Sequence, residues 1–238
     1  MINKIIMIIR EFWPQFVEGL KVTVLLALIG TIIGLIIALI FSALRVVKIN
    51  KNDKIHIKIL KNIGLLFVKT YVTIFRGTPM IVQAVIFYYS FYQAGIKWSA
   101  FAAGLFTISL NTAAYLTEVL RGGIESVDKG QTEAARSIGL SSSKTFLYII
   151  FPQALKNSFA SIGNELIVNI KDSAVLSVIS VIDVFSVADS AAGKYFLFIE
   201  AMLVAAGIYL VLTYSTAKIL QLIERKLGVE TKEMVSSN

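Results

Sequence analysis

The sequence predicts an all-α membrane protein of one domain, in which five spanning helices follow a short amphipathic helix. Hydrophobic residues make up 56% of the 238 positions and charged residues only 16%, below the roughly 25% found in soluble domains. The uncharged residues come in runs long enough to cross a bilayer, and the basic residues collect between alternate runs. No repeat, long linker or low-complexity segment divides the chain, so residues 1–238 are expected to form a single transmembrane domain.

Residues 1–17 are predicted to form an interfacial helix that lies on the bilayer surface. Their apolar side chains fall on one helical stripe and their polar side chains fall elsewhere, as in helices that bury one face among lipid headgroups. A helix packed against its own subunit is the alternative, and the interfacial arrangement is favoured. The stripe consists of Ile2, Ile5, Ile6, Ile9, Phe12, Trp13 and Phe16.

Five later segments are predicted to cross the membrane, since a spanning helix needs about 20 mainly apolar residues. In the first of them, Gly30 and Gly34 form a small-xxx-small pair that would let a neighbouring helix approach closely. The predicted spans are residues 22–44, 63–96, 98–120, 157–182 and 195–217.

Three polar segments carry sixteen of the twenty-three basic residues. Because cytoplasmic loops are enriched in Lys and Arg, the N-terminus is predicted outside and the C-terminus inside. The same distribution explains the net charge of +8, so nucleic acid is not an expected partner. The sixteen residues are Arg45, Lys48, Lys51, Lys54, Lys58, Lys61, Lys69, Arg121, Lys129, Arg136, Lys144, Lys156, Lys218, Arg225, Lys226 and Lys232.

No catalytic or metal site is expected in this chain. It contains no cysteine, its one histidine, His56, lies among lysines in a polar loop, and no nucleophile–base pair stands out. It also lacks the G-x-x-x-x-G-K-[ST] pattern that holds nucleotide phosphates. No nucleotide site of that type is therefore expected in this chain, and no cofactor is expected to bind here.

The polar segment 121–156 has the signals of a short helix, a turn and a second helix. Asp128 can cap the first helix with Gln131 in the capping-box position, and Gly139 suits its C-terminal stop. A serine, Ser141 or Ser142, can cap the second helix, which is expected to end at Pro152.

The first of these helices is predicted to be a docking surface. Ala134 and Ala135 are small and would let a partner approach closely, while Glu133 and Arg136 can make oriented polar contacts.

The same segment resembles the EAA loop of ABC importer permeases, in which Glu-Ala-Ala, three residues, Gly, nine residues and Ile-x-Leu-Pro follow one another. Residues 133–135 read Glu-Ala-Ala, Gly139 follows after three residues, and residues 149–152 read Ile-Ile-Phe-Pro after nine more. Phe151 at the usual leucine is the one departure. Further segments similar to the polar amino-acid subfamily are Phe-Arg-Gly-Thr-Pro at 75–79, Tyr-x-x-Glu-x-x-Arg-Gly-Gly-Ile at 115–124, Lys-Gly-Gln at 129–131, Pro-Gln-Ala at 152–154 and Lys-Asp-Ser at 171–173.

This resemblance implies a type I ABC importer transmembrane domain in the cell membrane that works by alternating access. It implies four kinds of partner: a second permease subunit of the same or a related kind, two ATP-binding subunits, an extracytoplasmic amino-acid-binding protein, and an amino acid as substrate. Each ATP-binding subunit would receive one EAA helix. The residues that the resemblance assigns to that docking are Glu133, Ala134, Ala135, Arg136 and Gly139.

Ionisable and polar residues inside the predicted spans are the candidates for the substrate pathway, because such groups are costly in lipid. Glu165, next to Asn164, is the leading candidate for binding a substrate's ammonium or guanidinium group, with interhelical hydrogen bonding as the alternative. An ion pair with Arg121 is expected for Glu118. The candidate pathway residues are Glu165, Asn164, Asn111, Tyr115 and Glu200.

Two rival interpretations remain open at this point. Intramembrane carboxylates would also suit an ion-coupled carrier that needs no ATPase, although five spans and the lack of a repeat count against it. A membrane enzyme or scaffold is disfavoured by the lack of a catalytic constellation. The amino acid that is carried and the identity of the second permease subunit are not determined by the sequence.

Overall fold

The computed structural model describes residues 1–46 and 54–228, and this part of the chain is helical without strands. The basic residues Lys48, Lys51 and Lys232 of the charge analysis lie outside the described residues. A π-helical turn, Phe146–Ile150, joins α6 to α7, and a 3-10 segment, Ser173–Ile179, follows α7. The helices are α1 Ile2–Val46, α2 Ile55–Gly77, α3 Met80–Gln93, α4 Ala100–Glu125, α5 Lys129–Ser137, α6 Ser142–Thr145, α7 Phe151–Asp172, α8 Val184–Tyr195 and α9 Phe198–Leu227.

Three of these helices, α1, α4 and α9, are each long and apolar enough to cross a membrane. Two further spans are possible if each of two bent pairs of helices crosses the membrane as one span. The chain turns by 108° between α2 and α3, and by 53° between the stretch Ser142–Ile179 and α8. Within the described residues the fold therefore provides three to five spans.

The N-terminal segment differs from the sequence prediction, because residues 1–17 and the first span form one continuous helix of 45 residues with Pro14 inside it. Only part of the apolar stripe faces outwards. Ile8, Phe12 and Phe16 are buried in a cluster with side chains of α8 and α9, so this flank of the helix packs on its own subunit. The opposite flank of the stripe stays exposed at Ile2, Ile6, Ile9 and Trp13.

Close contact between α1 and α4 forms the centre of the bundle. A Cβ atom on Gly34 would lie 2.7 Å from Cγ2 of Thr112, and one on Gly30 would clash with Ile108. The expected close approach at this glycine pair is therefore confirmed. The buried Asn169 of α7 completes the junction, because its Nδ2 donates to Oγ1 of Thr31 in α1 at 2.8 Å and of Thr112 in α4 at 2.9 Å.

The second predicted span, residues 63–96, is wrong as a single helix because it breaks at Thr78 and Pro79. Proline lacks an N–H and drives the preceding residue out of the helical region, and Thr78 is extended with φ −125° and ψ 144°. The buried Gln83 closes the break: its Nε2 donates to the carbonyl oxygens of Phe75 at 3.0 Å and Thr78 at 3.1 Å. Asn111 of α4 donates to Oε1 of Gln83 at 3.0 Å and fixes this arrangement.

The fourth predicted span, 157–182, also differs. The α-helix starts earlier, at Phe151, and ends at Asp172, after which the chain tightens into the 3-10 segment and reaches Ser180 in the left-handed region with φ 66°. The third and fifth spans are found with shifted bounds, as α4 and α9 start two and three residues later than predicted and extend further at their C-terminal ends.

A buried carboxylate, Asp183, holds the second break together. Its side chain accepts the N–H of Ser186 at 3.0 Å and the hydroxyl groups of Ser173 at 3.1 Å and Tyr209 at 2.7 Å. The 3-10 segment, α8 and α9 therefore meet at one fully buried residue. Helix α1 approaches the same point, since a Cβ on Gly19 would lie 2.9 Å from the Asp183 backbone.

Replacing Asp183 with Ala should lower the free energy of unfolding by about 3 kcal/mol, because three buried donors lose their acceptor. The matched control is Asp189→Ala, which removes an exposed carboxylate from α8, the helix that Asp183 caps. It should change stability by less than about 0.5 kcal/mol. Thermal unfolding of both purified variants in detergent measures the difference. Equal midpoints for the two variants would contradict the anchoring role of Asp183.

Candidate functional site

The predicted docking helix is α5, and its N-terminus begins as the sequence indicates. Asp128 is the N-cap, with its side-chain oxygen accepting the N–H of Gly130 at 2.6 Å. Capping of this kind satisfies a backbone donor that the helix itself leaves free.

The C-terminus of α5 is a Schellman motif centred on Gly139. This glycine has φ +86°, the left-handed conformation that glycine adopts without steric cost. Its N–H donates to the Arg136 carbonyl at 3.0 Å, and the N–H of Leu140 donates to the Ala135 carbonyl at 3.1 Å. The helix stop expected at Gly139 is therefore confirmed, with geometry that fixes where the chain goes next.

The exposed face of α5 carries three of the predicted docking residues. Glu133, Ala134 and Arg136 are exposed, and Arg136 also donates to Oγ of Ser142 at 2.7 Å. Ala135 is buried instead, with 4% of its surface exposed, so it packs within the protein and only Ala134 offers the small surface that was expected of both.

Exposed apolar residues beside α5 were missed by the sequence reasoning. Ile138 is 78% exposed, Tyr148 71% and Leu147 56%. Little in the sequence indicated this exposure, because a large apolar residue next to a helix-ending glycine, or within an apolar run, is expected to be buried in the core.

The second helix of this loop does not end at Pro152, which corrects the prediction. Ser141 caps it, accepting the N–H of Lys144 at 3.4 Å, but α6 then runs through the π-helical turn into α7. In this turn the N–H of Phe151 donates to the carbonyl of Phe146, an i to i−5 bond, and a wider turn here accommodates a proline that cannot donate. Helix α6, which follows the docking helix after the turn at residues 138–141, is thereby joined to α7 without a loop.

Helices α4 and α7 are held close together beside the docking helix. A Cβ on Gly123 would lie 2.7 Å from the carbonyl oxygen of Ala154, so only glycine fits there. Glu118, one turn earlier in α4, accepts from Nε of Arg121 at 2.9 Å, which confirms the expected ion pair. It also pairs with Arg45 at the end of α1, a contact that the sequence did not indicate.

A second cluster, formed by Arg76 of α2, Tyr115 of α4 and Glu165 of α7, combines both signs of charge. The guanidinium carbon of Arg76 lies 5.3 Å from the ring centroid of Tyr115, within the range of a cation–π contact. Both side chains are exposed and Glu165 is half-buried. Glu165 interacts electrostatically with Arg76, of opposite charge, and with Asp172, of like charge.

Arg76 is the pathway candidate that the sequence reasoning missed. It lies within the predicted span 63–96, directly before the uncharged run 77–96, and it was given no pathway role. The break after Gly77 instead ends α2 here and sets Arg76 in its last turn, above Tyr115. A basic residue directly before a Gly-Thr-Pro break is the signal that could have identified it.

The other predicted pathway residues lie apart from this cluster or serve the fold. Asn111 is 9% exposed and bound to Gln83, so it holds the α2–α3 break. Asn164 is exposed on α7 beside Glu165. Glu200 lies in the first turn of α9, with Oε1 3.8 Å from Nζ of Lys4, because α9 starts three residues later than predicted.

The fold defines an integral membrane protein in which the exposed helix α5 lies between two long helices, α4 and α7. The chain belongs to a known family, since residues 61–229 match that of the binding-protein-dependent transport system inner membrane component. This membership confirms the resemblance to ABC importer permeases and a location in the inner membrane.

Three similar proteins agree with this family. The permease protein GlnP of Rickettsia conorii, named for a glutamine transport system, is 38% identical, with 92% of this chain and 97% of GlnP covered. The arginine transport system permease protein ArtQ of Bacillus subtilis is 34% identical, with 90% and 93% covered. The crystal structure of an amino acid ABC transporter with histidines contains a chain of 34% identity and TM-score 0.80, with 92% and 96% covered.

Replacing Gly139 with Ala should loosen the end of α5 by about 1 kcal/mol, because alanine is strained in the left-handed conformation. No atom lies within 4 Å of a Cβ built there, so the effect is conformational. Hydrogen exchange at the amides of residues 134–140 should become several-fold faster. Gly122→Ala is the matched control, also in open space but inside α4, and protection in α5 should not change; equal exchange in both variants would contradict the strained stop.

Proposed function

We propose that this chain forms the translocation pathway for an amino acid, which it binds at the cluster of Arg76, Tyr115 and Glu165. The exposed guanidinium of Arg76, in cation–π contact with Tyr115 and attracted by the charge of Glu165, carries this proposal. Every free amino acid has a carboxylate that Arg76 can bind and an ammonium group that Glu165 can bind. The relatives named for glutamine and arginine transport support the same class of substrate.

The mixed charge of the cluster favours the zwitterionic part of the substrate over a cationic side chain. A cavity lined by acids alone would select arginine, lysine or histidine. Arg76 brings a positive charge to the site, and a positive charge disfavours a cationic side chain placed beside it. Recognition of the α-carboxylate and α-ammonium groups would suit a neutral polar amino acid equally well.

The proposed membrane arrangement has five spans, with the N-terminus outside and the C-terminus inside. Each bent pair counts as one span, and the basic segments then lie in the cytoplasm. Helix α1 has 45 residues and is about 67 Å long, more than the 40–45 Å of a whole bilayer. We infer that its first 17 residues follow the outer membrane interface, with the exposed Ile2, Ile6, Ile9 and Trp13 among the lipids.

The proposed coupling runs from α5 to the cluster through α7. Two ATP-binding subunits, which carry ATP and magnesium, would each receive the α5 helix of one of two permease subunits. Glu133, Ala134 and Arg136 would contact the ATP-binding subunit directly, and Gly139 would fix the angle of the helix. Because α5 is joined to α7 by α6 and the π turn, its movement would reach Glu165 and alternate the access of an amino acid delivered by the external binding protein.

The docking proposal predicts that Glu133→Arg/Ala134→Trp abolishes co-purification with the ATP-binding subunit while membrane insertion is retained. Both residues are exposed, so the substitutions change the contact surface and leave the core intact. Ser143→Trp, on the exposed side of α6, is the control and should co-purify normally. Undiminished co-purification and uptake in the double variant would overturn the docking role, and uptake by the purified chain alone would favour an ion-coupled carrier.

The pathway proposal predicts that Arg76→Gln and Glu165→Gln each lower amino-acid uptake at least about tenfold, since each removes one charged contact with the substrate. Binding to the ATP-binding subunit should persist. Glu200→Gln is the control, because Glu200 pairs with Lys4, and its uptake should stay near that of the unchanged protein. Transport in proteoliposomes containing all subunits measures this, and wild-type uptake by both cluster variants would exclude the site.

A further inference from the structure

The N-terminal half of α2 presents an apolar face that no described part of the chain covers. Residues of an α-helix are rotated by about 100° each, which places six apolar side chains between residues 55 and 67 in a sector about 140° wide. All six are more than half exposed, whereas Val68 and Val72, further along, are buried against α4. The six are Ile55, Ile59, Leu60, Ile63, Leu66 and Phe67.

Four lysines follow one side of the same helix. Lys54, Lys58, Lys61 and Lys69 fall in a sector about 80° wide that adjoins the apolar face. Lys54 and Lys69 are exposed and the other two are half-buried. Between residues 54 and 76 the sequence contains neither Asp nor Glu, so every charged side chain of this helix is basic.

We propose that this half of α2 is a binding site for acidic phospholipids, with its apolar face among the acyl chains and its lysines at the headgroup phosphates. A basic stripe beside an apolar face is the arrangement with which helices bind anionic membrane surfaces. Lysine suits this position because its long aliphatic stem lies along apolar surface while the ammonium group reaches the polar layer.

Lipid fits this surface better than a soluble partner does. Six large apolar side chains on one helix would form an unfavourable patch in water, but the protein lies in the inner membrane, where lipid covers such a patch. The break at Thr78 and Pro79 turns α2 by 108° from α3, so the two halves of this broken span do not cover each other.

The chain has no cysteine, so a fluorescent label can be placed at one site. The test compares a bimane label at Ile59→Cys, on the apolar face of α2, with one at Leu210→Cys, which is 69% exposed on α9. Each protein is reconstituted into vesicles of equal parts phosphatidylglycerol and phosphatidylcholine, with one of the two lipids brominated as a quencher. Brominated phosphatidylglycerol should quench the α2 label about threefold more than brominated phosphatidylcholine does, and both should quench the α9 label equally.

A second comparison assigns the preference to the lysines. In the Ile59→Cys protein, Lys54→Gln, Lys58→Gln, Lys61→Gln and Lys69→Gln together should make the two lipids quench equally. Neutralising four cations of the C-terminal segment, Lys218, Arg225, Lys226 and Lys232, removes the same charge and should leave the preference intact.

Three results would overturn the proposal. Equal quenching in the native-lysine protein would show no preference for acidic lipid. Loss of the preference in both neutralised proteins would show attraction to total charge and no site on α2. Quenching by neither lipid would show that protein, such as a second permease subunit, covers this face.

Discussion

Water is absent from the interior of a bilayer, so every backbone group there needs a partner within the protein. Backbone groups lose their helical partners at two breaks in the helices, one at Thr78–Pro79 and one between Ser180 and Asp183. Each is closed by one buried polar side chain: Gln83 receives support from Asn111 in α4, and Asp183 receives it from Ser173 and Tyr209. Hydrogen bonds therefore fix the backbone at each break, as they do within the continuous helices.

The first break lies directly beside the candidate site. Ending α2 at Gly77 leaves Arg76 in the last turn, where the helix dipole favours a cation, and the ring of Tyr115 contacts its guanidinium. Glu165 supplies the opposite charge from α7. The positive charge of Arg76 therefore interacts with groups on two other helices.

Features that depend on neighbouring residues were predicted from the sequence, whereas features that depend on hydrogen bonds between distant residues were missed. The cap at Asp128, the stop at Gly139 and the glycine contact of α1 with α4 all depend on residues close in the chain or on size alone, and all were predicted. The hydrogen bond of Asn111 to Gln83 joins residues 28 apart, and that of Tyr209 to Asp183 joins residues 26 apart. Apolar periodicity contains no information about either, so spans 63–96 and 157–182 were taken as unbroken and Asn111 as a pathway residue.

Helix α7 connects the segment after the docking helix with Glu165 and with the second break. At its start the π turn joins it to α6, which follows the docking helix, and Glu165 lies in its middle. At its end the chain tightens into the 3-10 segment, whose first residue, Ser173, donates to Asp183. A helix held at several points can move only if its contacts shift together, because packed interiors change between discrete arrangements. Asn169, bonded to both α1 and α4, ties α7 to the centre of the bundle, so under the proposed coupling a displacement of α5 would exchange these hydrogen bonds as Glu165 reorients.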